Sequence, residues 1–370
     1  MKKFDIAIIP GDGIGREIVP AAAKVLEEVA RRYNHQFNLK WGILGGAAMD
    51  KGLPPLPQET LDMVRTCDGI LFGSVGDPKY DYPGATVLPN EGLRGLRAGL
   101  KLFTNLRPAR YFPTLANRTP FKPATIRGVD LVVVRDFSGS FARGRKKVWR
   151  NKEGRQAEDV LLYSEKEIRR ALTFAFKLAQ TRRKKLSLAV QAGIWATSRL
   201  WRDIAQEMLP DYPDVEFETY APDNCAMQLV RNPASFDVIM NDIVSVGGMF
   251  NNQAAMLMGS LGMAPSAALR PESAKTLTKG GALFWGFGLY EPIHGSAPKH
   301  AGKDEVNPIA TILSAALLLR HSLGLDKEAA AVEKAVSKVL RTHRTYDLME
   351  KGKIKVGTRQ MGELVAAALP

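Results

Sequence analysis

The chain has 370 residues, 45% of them hydrophobic, with 33 glycines and 22 prolines; this is enough for a large buried core and excludes a disordered or fibrous chain. Cys67 and Cys225 are the only cysteines, which excludes a disulfide framework, fits a reducing cytoplasm and gives no metal-ligand spacing. Lys and Arg number 52 against 38 Asp and Glu, and the resulting +14 attracts phosphorylated cofactors, polycarboxylates or nucleic acid.

Phe4–Ile9 reads as a buried first strand that stops at a Pro-Gly turn, not as a signal peptide. A helix with apolar residues at helical spacing follows over Ile14–Tyr33. Gly69–Val75 and Asp130–Arg135 are further short apolar strands. Ser164 with Glu167 three residues on forms a capping-box start to a helix over Ser164–Gln180. A strand at Leu186–Val190, a helix at Ser198–Met208 and a strand at Phe236–Met240 come next. Two helices, Asn307–Leu323 and Lys327–Leu340, end the series. Strands alternating with helices imply an α/β fold with a mostly parallel core sheet. No apolar stretch reaches the roughly 18 residues of a membrane helix.

The turn Gly11-Asp-Gly-Ile-Gly15 is not a G-x-G-x-x-G fingerprint, and by itself it reads as a tight strand-to-helix turn. The run Arg182-Arg-Lys-Lys185 sits at a helix end, where cations complement the dipole, and reads as structural. The run Arg143–Arg150 is the nearest candidate for a nucleic-acid patch, but it lacks a recognition motif, so nucleic acid is not the expected partner.

The order of the motifs is more specific than any one of them. Pro10-Gly-Asp-Gly-Ile-Gly15, Gly73-Ser-Val-Gly-Asp-Pro-Lys79 and the segment Gly92–Pro108 come first. Asn224–Arg231, Gly259–Ser266, His294-Gly-Ser-Ala-Pro298, Asn307–Ala315 and Arg344-Thr-Tyr-Asp347 follow. Together they resemble the isopropylmalate/isocitrate dehydrogenase family, on its isopropylmalate side, over essentially the whole chain. The resemblance implies a two-domain α/β fold. Residues 1–102 plus 255–370 would carry the cofactor loop. Residues 103–254 would form the dimerisation and substrate domain, with a β-arm near 137–163. A homodimer is implied, and a heteromer stays open.

That family oxidises and decarboxylates a 2-hydroxy acid with NAD(P) and a divalent metal. Its carboxylate-clamping arginines match Arg97, Arg107 and Arg135. Arginine suits this work because its planar fork pairs bidentately with a carboxylate. Asp136 is the local acid that could instead neutralise them. Leu93-Arg94 matches the pair around the isopropyl group, and Arg94 would put a charge there unless it points to solvent. His294, Gly295, Ser296, Ala297 and Asn307 match the adenosine-binding residues. Lys299, His300 and Tyr346 follow the pattern of NADP-using members. Glu350 falls where those members place a further basic contact, and Lys351 is its nearest substitute.

The chemical positions depart from the family. Its metal-binding aspartates match Val190, Gly248 and Asn252; its catalytic lysine and tyrosine match Gln191 and Ala142. One extra residue around Asn241–Val246 can bring Asp242 nearer the site. Gln191, Asn251, Asn252, Ser138 and Arg143 are the polar groups left nearby, and none is an obvious base. The expectation is a pseudoenzyme that binds a small anion, NADP(H) or both, with no divalent metal at the family position. The alternative is a metal-independent NADP(H)-linked oxidoreductase acting on a polar carboxylate. An ordinary NAD(P)-dependent decarboxylating dehydrogenase and a polyanion binder have less support.

Overall fold

The computed structural model describes residues 1–137, 144–242, 248–270, 276–278 and 281–370. Its strands, in chain order, begin with β1 Lys3–Gly11, β2 Gln36–Trp41, β3 Gly69–Ser74, β4 Thr104–Arg110 and β5 Asp130–Asp136. Next come β6 Lys146–Asn151, β7 Gly154–Asp159, β8 Lys185–Ala189, β9 Glu216–Tyr220 and β10 Val238–Asn241. The last are β11 Pro265–Leu269, β12 Thr276–Leu277, β13 Leu283–Phe284 and β14 Gly288–Pro292, with a short final pair that plays no part below.

A ten-stranded sheet runs in the order β2-β1-β3-β14-β11-β4-β5-β10-β8-β9. Both flanks are parallel, while β14-β11, β11-β4 and β4-β5 are antiparallel. Every residue of β3 is buried, as expected of a parallel strand covered on both faces. The helix Ile309–His321 is buried nearly all round, which explains its almost uniformly apolar sequence. It packs on β3, β11 and β14 and against the helices Gly15–Arg32 and Asp326–Val339.

The expected strands and helices stand within a residue or two of their positions, and the sheet is mostly parallel as read. The capping box forms: Glu167 N donates to Ser164 Oγ, and Ser164 N donates to Glu167 Oε2 at 2.9 Å. The basic run at residues 182–185 is structural. Arg182 pairs with Asp130 and Asp237, Lys184 with Asp214, and Lys185 with Glu216 and Glu218.

The strands β2, β4, β9, β11 and β14 were not expected individually. β2 and β9 are edge strands with partly exposed faces, so neither shows an apolar run. The strands β6 and β7 form a separate hairpin and pair only with each other among the described residues. It carries Arg145–Arg150 and an exposed Val148. No helix among the described residues is long and apolar enough to cross a membrane.

Candidate functional site

Side chains alternate across a strand, so β4 and β5 present Asn105, Arg107 and Arg135 on one face. Asn105 lies opposite Arg135, and Arg107 opposite Val133. Arg97 reaches the same place from the helix Asn90–Gly99 and pairs with the buried Glu291 of β14. Arg107 Nε donates to Asn105 Oδ1 at 2.7 Å, and Asn105 Nδ2 donates to Ala267 O at 3.1 Å. Phe137 supplies an aromatic wall, its ring centroid 4.6 Å from Arg135 Cζ and 5.8 Å from Arg97 Cζ.

Burial pushes Arg107 down to about 10, with Glu291 opposing and Arg97 adding to the shift. Burial likewise pushes Arg135 down to about 9, helped by the charges of Arg107 and Arg97 and opposed by Glu291. In both, the desolvation of the guanidinium is the largest cause. The three guanidiniums gather around Glu291, which pairs with Arg97. Arg97 Nε is also buried without a hydrogen-bond partner. This arrangement suits a dianion. The acid at the cluster is Glu291, not Asp136. Asp136 lies on the alternate face of β5 and accepts from Thr104 Oγ1 at 3.2 Å. Arg94 does not join the cluster: its side chain is 65% exposed and lies 3.9 Å from Glu91.

Among the described residues, the positions matched to the family's metal ligands supply few oxygens. Gly248 begins the helix Met249–Met256, and a Cβ placed on it would stand 3.4 Å from Arg135 Nη1. Asn252, one turn on, is exposed. Asn251 is buried, and neither end of its amide has a hydrogen-bond partner. Val190 follows β8 and is buried in the core, with the half-buried Gln191 beside it. Asp242 is buried and accepts from the hydroxyl of Ser198. Ala142, Ser138 and Arg143 lie outside the described residues. Hard divalent cations need several oxygen ligands. Val190 and Gly248 supply none and Asn252 an exposed amide, so these side chains do not fit such a cation. Among the described residues no three His, Cys, Asp or Glu side chains come together.

A second feature lies beyond the C-terminal end of β14. Ser296 O accepts from Ile14 N at 2.9 Å, which ties residues 294–298 to the first turn. Gly13 has to be glycine here, because a Cβ would meet Ser296 O at 2.1 Å and its φ is +54°. Ala297 takes a left-handed conformation at φ 37°, and Pro298–His300 forms a short 3₁₀ turn after it. His300 stacks on Tyr346 with centroids 5.3 Å apart, and its Nδ1 bonds Glu305 at 2.8 Å. Tyr346 remains 40% exposed and Lys299 is exposed beside it. Asn307 donates to Asp347 at 3.1 Å and caps the next helix through Ile309 N at 3.0 Å. Desolvation lowers the pKa of His294, whose Nδ1 lies 3.0 Å from Gly295 O. A flat aromatic face beside an exposed ammonium fits a phosphorylated nucleotide. Glu350 is absorbed elsewhere, as the carboxylate partner of the fully buried Arg344 at 2.8 Å.

A family model described as isocitrate/isopropylmalate dehydrogenase matches residues 5–365. The chain belongs to that family. It is 44% identical over 366 residues to a 3-isopropylmalate dehydrogenase of Carboxydothermus hydrogenoformans, covering 98% of this chain and 94% of the relative. A 3-isopropylmalate dehydrogenase of Pseudomonas savastanoi pv. phaseolicola is 46% identical over 367 residues, 98% of each chain. The crystal structure of isocitrate dehydrogenase from Methylococcus capsulatus superposes with a TM-score of 0.81 at 32% identity, covering 99% of both chains.

Members of the isocitrate/isopropylmalate dehydrogenase family use NAD(P) and a divalent metal and are typically homodimers. The mostly parallel α/β sheet of this chain is that family's fold.

Proposed function

We propose that this family member binds a dianionic carboxylate on Arg97, Arg107 and Arg135 and a phosphorylated nicotinamide nucleotide at residues 294–300, 307 and 346, and has lost the family's metal-assisted oxidative decarboxylation. The observation that carries this reading is the gathering of Arg97, Arg107 and Arg135 at one place, beside Gly248 where the family has a carboxylate. Arg135 is buried and Arg97 and Arg107 are half-buried, and gathering such guanidiniums is costly without an anion. A metal-binding carboxylate next to Arg135 would neutralise it, and Gly248 leaves that place to a ligand. NADP, when bound, would supply a hydride acceptor. The chain's own residues bind and orient: Arg107 is fixed by Asn105, Arg97 by Glu291, and Phe137 walls the cluster. Neither Gln191 nor Asn252 is a base.

The names of the relatives favour a second reading, an ordinary 3-isopropylmalate dehydrogenase. Val190, Gln191, Gly248 and Asn252 argue against it, because a cation and a positioned acid or base each contribute several powers of ten to a rate. Retention of the nucleotide loop supports a third, a metal-independent NADP(H)-linked oxidoreductase. The β6–β7 hairpin supports a homodimer with the arm at the interface; on this reading the chain divides at about residues 102 and 255, with the cluster at the junction.

Calorimetric titration tests the proposal. Malonate is expected to bind equally well with and without Mg²⁺, to weaken at least about tenfold in Arg135→Gln, and NADP⁺ is expected to bind in preference to NAD⁺. Malonate binding that requires Mg²⁺ would overturn it.

A further inference from the structure

The two faces of β4 and β5 carry different chemistry. Arg107 and Arg135 project to the cluster described above. Leu106, Pro108, Arg110, Asp130 and Val132, at the even-numbered positions, project the other way. On that second face lies a cavity of about 390 Å³. Small-molecule sites run from about 300 to 1,000 Å³.

Its wall is apolar, from Leu106, Val132, Leu178, Met258, Leu313 and Leu317. Its lining also holds Arg110 and Arg320, which share a single carboxylate. Arg110 Nη1 lies 3.2 Å from Glu333 Oε2, and Arg320 Nη1 2.7 Å from Glu333 Oε1. A guanidinium has five N–H donors, and each of these two spends one on Glu333. Burial acts to raise the Glu333 carboxyl, but the hydrogen bonds and charges of Arg320 and Arg110 outweigh it and hold it below its ordinary range. Glu333 therefore stays charged, and two guanidiniums against one carboxylate leave a single positive charge. The third arginine, Arg182, is already held by Asp130 at 2.9 Å and Asp237 at 2.8 Å. His321 completes the lining; its Nδ1 donates to Leu283 O at 2.8 Å.

We propose that this cavity is a second ligand site, separate from the arginine cluster, for a small amphipathic monocarboxylate. The carboxylate would take the remaining donors of Arg110 and Arg320. An aliphatic body would lie against Leu106, Val132, Leu178, Leu313 and Leu317. A polycarboxylate is disfavoured, because a second charge against that wall would be desolvated without a partner.

Calorimetric titration with octanoate, acetate and 1-octanol tests this. Octanoate saturates at one per chain, while acetate, which lacks the body, and 1-octanol, which lacks the charge, do not bind over the same range. Arg320→Gln weakens octanoate about tenfold or more, the loss expected for a charge-assisted hydrogen bond. Thr181→Trp, which fills the cavity from its lining, abolishes binding. Arg107→Gln, in the other site, leaves it unchanged. Thermal unfolding checks that the variants fold. Absence of saturable octanoate binding, binding that survives both Arg320→Gln and Thr181→Trp, or its loss in Arg107→Gln would each overturn the proposal.

Discussion

Gly248 faces the Arg135 guanidinium without a side chain: a Cβ there would stand 3.4 Å from Nη1. Gly248→Asp would put a carboxylate beside that guanidinium. Two consequences follow from that one change. Malonate affinity should fall about tenfold, as the new acid takes a charged hydrogen bond from the ligand. Stability should rise by a few tenths of a kcal/mol, because position 248 is the N-cap of Met249–Met256 and aspartate caps better than glycine. Unchanged malonate affinity in a folded variant would count against the site. Arg97, Arg107 and Arg135 were legible in the sequence because they sit in ordered motifs. Glu291 was not, since it lies 194 residues from Arg97 and only the sheet brings them together. Arg94 has the right sequence position but is largely solvent-exposed beside Glu91.

At the scale of elements, local signals were read well and pairing was not. The Ser164 capping box lies within four residues and forms as written. The β6–β7 hairpin has no apolar alternation, because neither face is buried within this chain. A lone two-stranded hairpin is marginally stable in water, which is why it should be covered by a second copy. Replacing residues 146–159 by a short Gly-Ser loop is expected to give monomers in analytical ultracentrifugation; dimers of unchanged strength would exclude the arm from the interface. The helix Ile309–His321 makes a separate prediction. Burial pushes His321 down to about 4 from 6.5, so the unfolded chain binds its proton first. Its contribution to stability is whole above pH 6.5 and is lost as pH falls through that window towards 4. The full difference is on the order of 3 kcal/mol. Guanidinium unfolding of His321→Asn, whose amide can still donate to Leu283 O, should show a flatter profile over this range than the parent. Parallel profiles would refute the assignment.

Across the whole molecule, one continuous sheet with antiparallel strands at its centre carries an arginine cluster on one face and, on the other, a cavity with an apolar wall and a charged lining. The α/β class and mostly parallel sheet were legible from the alternation of strands and helices. The antiparallel centre was not, because it depends on strands β11 and β14 inserting between β3 and β4 from late in the chain. The +14 charge is partly absorbed by structural pairs such as Arg182 with Asp237 and Arg344 with Glu350, and on the proposed reading it acts at Arg97, Arg107 and Arg135. The central claim is that this frame binds its anion without the family's metal chemistry. The direct test is reduction of NADP⁺ and NAD⁺ by the purified protein with 3-isopropylmalate or isocitrate in the presence of Mn²⁺. The account predicts a rate equal to the protein-free control with every pair. Metal-dependent turnover with either acid would contradict it.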